Sequence, residues 1–520
     1  MNELLKSSLE LAVFAHGEGK LSEAVIRYQS ILGSVEGRQL SRTESALLAV
    51  AQNNLGFIMQ CRKNTSAAAE CYQAAVELNP SYSEAHHNLG HILHEVGDLK
   101  GATQSYEKVV QIAPKCIDSL NTLGSALLSY GDLPRANTIF RQALQLDPHS
   151  PRALNNLGSV LLALGEVEEA ITYFKAAISL NPNYENALIN LGDAFRDLKK
   201  LSKAYKCYSE ALVLEPDSIR AHNSLGNLLR YDKRYEKALE SFNVINSSMA
   251  DSKRSRSPKN DEYWFNAEAQ ALECLFLLDR YEELIDKLKA LAHEKPDDRR
   301  ISALSCFATD QLGISNPYNF CPKPLEFIHI SSLAAHISEL PSFIKTLIDD
   351  GLQEPMVWEP RHGVTDLGFL SANSIFFASD SYRKLEQILW KEIEIYYKKF
   401  RNQECKFIEL WPHNYQLKGW LNKLRINGYQ RSHIHPAGWL SGIIYLNVKQ
   451  FACKDAGAIE FGLRGYDFPE STKVNRNKVY HPKIGDIILF PSSTFHATKP
   501  FNEEYDRISL AFDLIPCVKS

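Results

Sequence analysis

None of the ten cysteines (positions 61, 71, 116, 207, 274, 306, 321, 405, 453 and 517) pairs with another as CxxC. That spacing excludes the common structural zinc sites and fits reduced thiols in a cytosolic compartment. Long apolar runs are missing too, none approaching the ~18 residues of a membrane span. The opening Met1-Asn2-Glu3-Leu4-Leu5-Lys6 shows no apolar core of a secretory signal. Nor is there an excess of basic charge: 58 Lys and Arg stand against 62 Asp and Glu, a net charge of −4. Polyanion binders carry a basic excess or stripe, so nucleic acid is not an expected partner. The short basic cluster Lys253-Arg254-Ser255-Arg256 reads as a solvated insertion. A cytoplasmic protein with no membrane span is expected, and 520 residues call for more than one domain.

What is present begins with a repeat. Leu-Gly pairs fall at 55–56, 89–90, 123–124, 157–158, 191–192 and 225–226, each 34 residues after the last. Thirteen residues beyond each leucine stands an alanine (68, 102, 136, 170, 204, 238), and four beyond that an aromatic: Tyr72, Tyr106, Phe140, Phe174, Tyr208, Phe242. Prolines at 80, 114, 148, 182 and 216 close the units. Two helices that cross closely need small residues at the crossing, an aromatic to fill the remaining space, and a stop signal. This pattern resembles the tetratricopeptide repeat. With an offset unit near Leu11, Ala24 and Tyr28 and a degenerate one carrying Trp264, Leu284, Leu288 and Pro296, about eight repeats are expected over 1–296, with insertions near 34–45 and 248–260.

Just before each repeated leucine stand Asn54, Asn88, Thr122, Asn156, Asn190 and Ser224. A primary amide both donates to and accepts from a peptide bond. The series resembles the asparagine ladder of O-linked N-acetylglucosamine transferases, which implies a groove at Asn54, Asn88, Asn156 and Asn190 for a protein or peptide. Local packing is the other reading. Asn53, His87, Asn121, Asn155 and Asn223 would keep the same surface polar.

Residues 297–330 read as a cap helix (Ile301 to Leu312) and a linker with Gly313, Pro317, Pro322 and Pro324. Beyond it, helical periodicity at Leu333–Leu352 and Ser381–Phe400 gives way to strand-like alternation at Tyr415–Ile426, Ser441–Lys449, Ala456–Leu463, Asp486–Phe490 and Arg507–Leu514. Short strands between turn residues predict an antiparallel jelly roll with flanking helices over 331–520. The fold class is therefore multidomain, an all-α repeat solenoid followed by a double-stranded β-helix.

The chemistry sits in that second domain. His433 and His435 differ by two, so on a strand they face one side, and Pro436 ends the pairing. His496 follows Gly485-Asp486-x-x-x-Phe490-Pro491 on a loop after a short strand. Three histidines so spaced point to a metal. Arg507, Ser509 and Ala511 share one face of the last strand, and a buried guanidinium calls for an anion, either a ligand carboxylate or a protein acid.

This segment, about 355–517, resembles the iron(II)/2-oxoglutarate oxygenases of the prolyl-hydroxylase-like branch. His433-x-His435 takes the family's His-x-Asp slot, His496 matches its distal histidine, and Arg507 its carboxylate-gripping residue. Tyr445-Leu446-Asn447 matches a strand whose tyrosine reaches the same carboxylate. The resemblance implies Fe(2+), 2-oxoglutarate and O2, with metal ligands His433, His435 and His496 and co-substrate contacts Arg507, Tyr445 and Ser509. His435 departs from the pattern by replacing the carboxylate. Either three imidazoles hold the metal, or His435 swings away and water or an acid such as Glu460 takes its place. Aspartyl/asparaginyl β-hydroxylases, which also join helical repeats to an oxygenase domain, work without that carboxylate. Two other readings stay open: a three-histidine cupin enzyme without 2-oxoglutarate, and a repeat scaffold with an inactive barrel. Cupins usually carry a glutamate where this chain has Trp439, and they leave Arg507 unexplained. Trp439 and Trp420 wall the site or pack a core, and packing is the preferred reading for Trp420.

Overall fold

The computed structural model describes residues 2–35, 37, 39–250, 258–359, 364–449, 455–466, 468 and 477–517. The basic cluster 253–256 and the side chain of Trp264 lie outside the described residues. The chain divides into two compact units, Met1–Pro148 and His149–Lys519. Among the described residues, no helix is long and apolar enough to cross a membrane.

The first unit is all helical. Its helices run in four pairs: Asn2–Gly17 with Leu21–Gly33, Arg42–Cys61 with Thr65–Leu78, Ser83–Val96 with Leu99–Ile112, and Ile117–Tyr130 with Leu133–Leu146. Asn64, Asp98 and Asp132 each accept a backbone N–H with their side chains and so start the second helix of their pair. The second helices of the last three pairs each stop two residues before a proline, Pro80, Pro114 and Pro148. The repeated glycine is a matter of contact: a Cβ on Gly56 would meet the Tyr72 ring at 2.8 Å, and one on Gly124 the Phe140 ring at 2.6 Å. Tyr72 also shares a core with Ala85, Leu89 and Ile92 of the next pair, so one ring closes its own unit and joins it to its neighbour.

The second unit opens with four more pairs: Pro151–Ala163 with Val167–Leu180, Glu185–Asp197 with Leu201–Leu214, Ile219–Tyr231 with Tyr235–Ala250, and Pro258–Leu277 with Tyr281–Glu294. An unpaired helix, Arg299–Leu312, ends the series. There follows an antiparallel sheet of ten strands: β1 (His329–Ser332), β2 (Met356–Trp358), β3 (Thr365–Ser371), β4 (Tyr415–His433), β5 (Leu440–Asn447), β6 (Ile459–Gly462), β7 (Lys478–Tyr480), β8 (Asp486–Pro491), β9 (Phe495–Thr498) and β10 (Arg507–Pro516). The main order is β1-β8-β5-β10-β4-β9-β6-β7, with β2 and β3 added against β4.

β4 is the hinge of this sheet. Its first half, Tyr415–Leu424, pairs with β10, and its end pairs with β9. Between them Asn427 takes φ +62°, a left-handed conformation that asparagine tolerates. Residues from strands far apart in the order, Tyr445 and Ile443 on β5, Phe490 on β8 and Phe461 on β6, therefore meet in one cluster. The sheet curls on itself, as a jelly roll does.

Helix Asp380–Phe400 buries Tyr382, Leu385, Leu389, Glu392, Tyr396 and Phe400, one face at helical spacing. The helix expected over 333–352 is shorter. A 3-10 turn occupies Leu333–Ala335, and the helix proper runs Leu340–Gly351 with Pro341 in its first turn, where a missing N–H costs nothing. The strand expected to end at Ile426 continues as β4 to His433, and β1, β2, β3, β7 and β9 are additions.

Candidate metal centre

Sheet register brings the histidines together. His433, the last residue of β4, stands directly opposite His496. His496 therefore lies on a strand, β9, rather than on the expected loop. His435 sits two residues past the end of β4, its backbone N–H donating to Ser492 O at 3.0 Å. Ring centroids lie 4.3 Å apart for His433 and His496, 5.2 Å for His433 and His435, and 4.9 Å for His435 and His496. One nitrogen from each ring falls within 4.8 Å of the others. All three rings are at most 9% exposed.

Hydrogen-bond partners assign the ring tautomers. His433 Nδ1 lies 2.7 Å from Arg431 O, and His496 Nδ1 lies 3.2 Å from Thr494 O. His435 Nδ1 lies 2.6 Å from Asp513 Oδ1. Backbone carbonyls only accept, so Nδ1 of His433 and of His496 carries the proton and leaves Nε2 bare on these two neutral rings, while His435 turns Nδ1 to a carboxylate and Nε2 to the other rings. The Nε2 atoms of His433 and His435 lie 3.2 Å apart, with lone pairs opposed wherever neither carries a proton. Such an arrangement is unfavourable by itself and favourable around a cation. Burial and the neighbouring His435 push His433 down to about 3. His496 is held well below the usual imidazole value, by burial first and then by His433 and His435. Metals bind the neutral imidazole.

That electrostatics has a consequence for stability. An unfolded histidine titrates near ~6.5. The folded chain refuses those protons, so the unfolded state binds more of them between that value and about 3. Stability of the metal-free protein should be full above pH ~6.5 and fall on acidification, by up to about 1.4 kcal/mol per pH unit for each such histidine. Urea melts of the metal-free protein from pH 7.5 to 5 measure this. The His433→Ala variant should show a shallower slope, and an equal slope would remove His433 from the account.

The interior wall of β10 carries the rest of the site. Ser509, Ala511 and Asp513 stand opposite Tyr445, Ile443 and Ser441 of β5. Arg507 is 2% exposed, its guanidinium 5.1 Å from the Tyr445 ring centre. The Arg507 Nε and the Tyr445 hydroxyl are both buried without a hydrogen-bond partner. No acidic side chain among the described residues pairs with Arg507. Burial pulls the guanidinium below its ordinary pKa and pushes the Tyr445 phenol up to about 12. Ser509, 2% exposed, lies beside them. Arg507 and Tyr445 interact with one another, and with Nε left unsatisfied and no acid beside them they fit an anionic ligand that accepts from both.

Other expectations change. Glu460 alternates away from Phe461, whose ring approaches His496, and its carboxylate meets Asn477 and Lys499 instead. Trp420 packs on the interior cluster and also sets its ring 5.3 Å from His435, so it does wall the site. Trp439 is a core residue, donating from Nε1 to Phe407 O at 3.1 Å. In the repeats, Asn54, Asn88, Asn156 and Asn190 are half-buried. Asn88 donates to Asn53 at 2.9 Å, Asn190 to Asn155 at 2.8 Å and Asn54 to the Tyr28 hydroxyl at 3.2 Å, while Asn156 accepts from Asn155 at 3.4 Å. Asn53, Asn121 and Asn155 are buried rather than surface residues, and the first and third link one repeat to the next.

Two features escaped the sequence. Asp513 shares a face with Arg507 by strand alternation, and that signal was available. Arg299 had none: from the last repeat helix, its Nε donates to Pro436 O at 3.0 Å and its guanidinium lies 5.7 Å from the Trp439 ring. Nearby Phe307 stacks on Phe468 at 4.7 Å.

Residues 418–513, which include all three histidines, Tyr445 and Arg507, match a family model described as "Putative 2OG-Fe(II) oxygenase". Over these residues the chain is similar to 2OG-Fe(II) oxygenases. Residues 18–259 match the model of the C-terminal domain of cilia and flagella-associated protein 70, a TPR-type region. No curated protein sequence matches the chain. Among solved structures, a tetratricopeptide repeat protein from Parabacteroides merdae is 16% identical, with 51% of this chain and 98% of that one covered and a TM-score of 0.42. YrrB, described as a TPR protein with an unusual peptide-binding site, is 22% identical over 33% of this chain and 89% of its own, with a TM-score of 0.29. Pseudomonas aeruginosa pilF is 22% identical over 41% and 95%, with a TM-score of 0.33.

Proposed function

We propose that this chain is an Fe(II)- and 2-oxoglutarate-dependent oxygenase, a hydroxylase, whose repeats recruit a protein or peptide substrate. In this reading 1–296 is the recruiting solenoid, 297–330 the cap helix and linker, and 331–520 the oxygenase domain. The observation that carries it is the convergence of three imidazoles, each with an acceptor behind its Nδ1 and one nitrogen within 4.8 Å of the others. His433, His435 and His496 would hold Fe(2+), and Arg507 with Tyr445 would hold the far carboxylate of 2-oxoglutarate, with Ser509 lining it. Bound together, the metal, co-substrate and O2 supply an oxidation that releases succinate and CO2 and inserts one oxygen atom into a C–H bond. Phe461 and Phe490 beside His496 exclude water, which strengthens every charge interaction inside. Arg507 and Tyr445 orient the co-substrate by bonds that a neutral ligand could not complete.

Half-buried amides at Asn54 and Asn88, and separately at Asn156 and Asn190, support contact with a peptide backbone. Nine free cysteines among the described residues support a reducing compartment, the cytoplasm. The absence of a carboxylate ligand favours a second reading, a three-histidine metalloenzyme that does not use 2-oxoglutarate. The buried Arg507, with Nε unsatisfied and no acidic partner among the described residues, speaks against it. Anaerobic addition of Fe(2+) and then 2-oxoglutarate separates the two. A visible charge-transfer band on adding the keto acid is expected, and iron binding without that band overturns the first reading.

A further inference from the structure

We infer that Asp513 is the positioning carboxylate of the metal centre, fixing His435 in the tautomer that makes it the third ligand. The inference rests on the three-histidine metal site proposed above and concerns what makes that site workable without a carboxylate ligand.

The three imidazoles are not backed alike. His433 and His496 give their Nδ1 protons to neutral backbone carbonyls, Arg431 O and Thr494 O. His435 alone gives its proton to a formal negative charge, Asp513 Oδ1 at 2.6 Å. A carboxylate behind an imidazole fixes the ring's orientation and raises the basicity of the far nitrogen. The charge missing from the ligand set thus reappears one hydrogen bond further out.

Asp513 is built into place for this. It stands opposite Ser441 in the β5–β10 register, and the Ser441 hydroxyl donates to the same Oδ1 at 2.7 Å. That hydroxyl also lies 2.8 Å from Ser492 Oγ, while Ser492 O receives the backbone N–H of His435. His435 is therefore held at ring and backbone by one continuous polar network. The loop beyond it lies close: a Cβ on Gly438 would come within 2.5 Å of Ser492 Oγ and 3.1 Å of Asp513 Cγ. Asp513 is only 7% exposed, and no lysine or arginine among the described residues pairs with it. A buried carboxylate whose one ionisable partner is an imidazole is costly unless that side of the site carries positive charge. A cation on the far side of the His435 ring offsets that cost.

The test uses the full-length chain and Co(2+), titrated anaerobically with the visible bands as the coordination readout. D513N keeps the shape but removes the negative charge and replaces one acceptor oxygen with an NH2 donor, so His435 loses its charged partner and, with the NH2 toward the ring, its proton moves to Nε2 and blocks the ligand. Affinity should drop about 10–100-fold, with bands shifted toward fewer nitrogen ligands. In an H435A background D513N should change affinity little, because its effect passes through that ring. Unchanged affinity in D513N, or an equal loss with and without His435, overturns the inference and leaves the metal site standing. Failure of the wild-type chain to bind Co(2+) overturns both. Independently of any variant, nitrogen-15 NMR of metal-free, histidine-labelled protein should show His435 protonated at Nδ1, and protonation at Nε2 overturns the inference.

Discussion

Alanine in place of His433 or His496 should abolish iron binding. Anaerobic titration of each variant measures it. The two residues face one another across β4 and β9, so each loss leaves at most two imidazoles on adjoining backbone. Two neutral nitrogens hold a hard divalent ion poorly, because neither charge nor geometry then distinguishes the site from water. The fold should survive both changes. Both rings are buried, so each change opens a cavity, in the case of His496 one lined by Phe461 and Phe490, without breaking an ion pair. Iron at wild-type stoichiometry in either variant would remove the ligand assignment.

Loss of 2-oxoglutarate affinity by about two to three powers of ten is expected of Arg507→Ala. A buried ion pair stripped of one partner costs ~3–5 kcal/mol, which corresponds to that range. The metal-free protein should not lose stability in proportion. Arg507 is held in the barrel without an ion pair, over the Tyr445 ring, with Nε unsatisfied. Removing an uncompensated buried charge is close to neutral for folding, so affinity and melting temperature should part company. Arg507→Met makes the contrast sharper by keeping the volume. Isothermal titration with 2-oxoglutarate and a thermal melt read both quantities. An unchanged affinity takes the arginine out of its role, and a matched collapse in stability makes it a structural residue.

The repeats were legible because their signal is local. A 34-residue period, with glycine and aromatic sixteen residues apart, records contacts inside one helix pair. The same physics made the amide series ambiguous. Asn53 and Asn155 looked like surface residues, yet they sit inside and accept from Asn88 and Asn190. A helix face is known from its period only to within one position, and that one position separates buried from half-exposed. In the second unit, apolar alternation marked β5, β8 and β10. It missed β1, β2, β7 and β9, which are three or four residues long and too short to show a period, and also the seven-residue β3, which Gly368 and the exposed Leu367 interrupt.

From the chain's order alone came the repeat architecture, the two-residue spacing that puts His433 and His435 together, and the face shared by Arg507 and Ser509. These follow from the periods of helix and strand, which act over a few residues. Folding in space assigned the partners: His496 opposite His433, Asp513 behind His435, Trp420 beside that ring, and Arg299 across 137 positions on the carbonyl of Pro436. Those matches depend on register and on the bend in β4, where one residue of slip would turn every side chain to the other face. No local spacing carries that information.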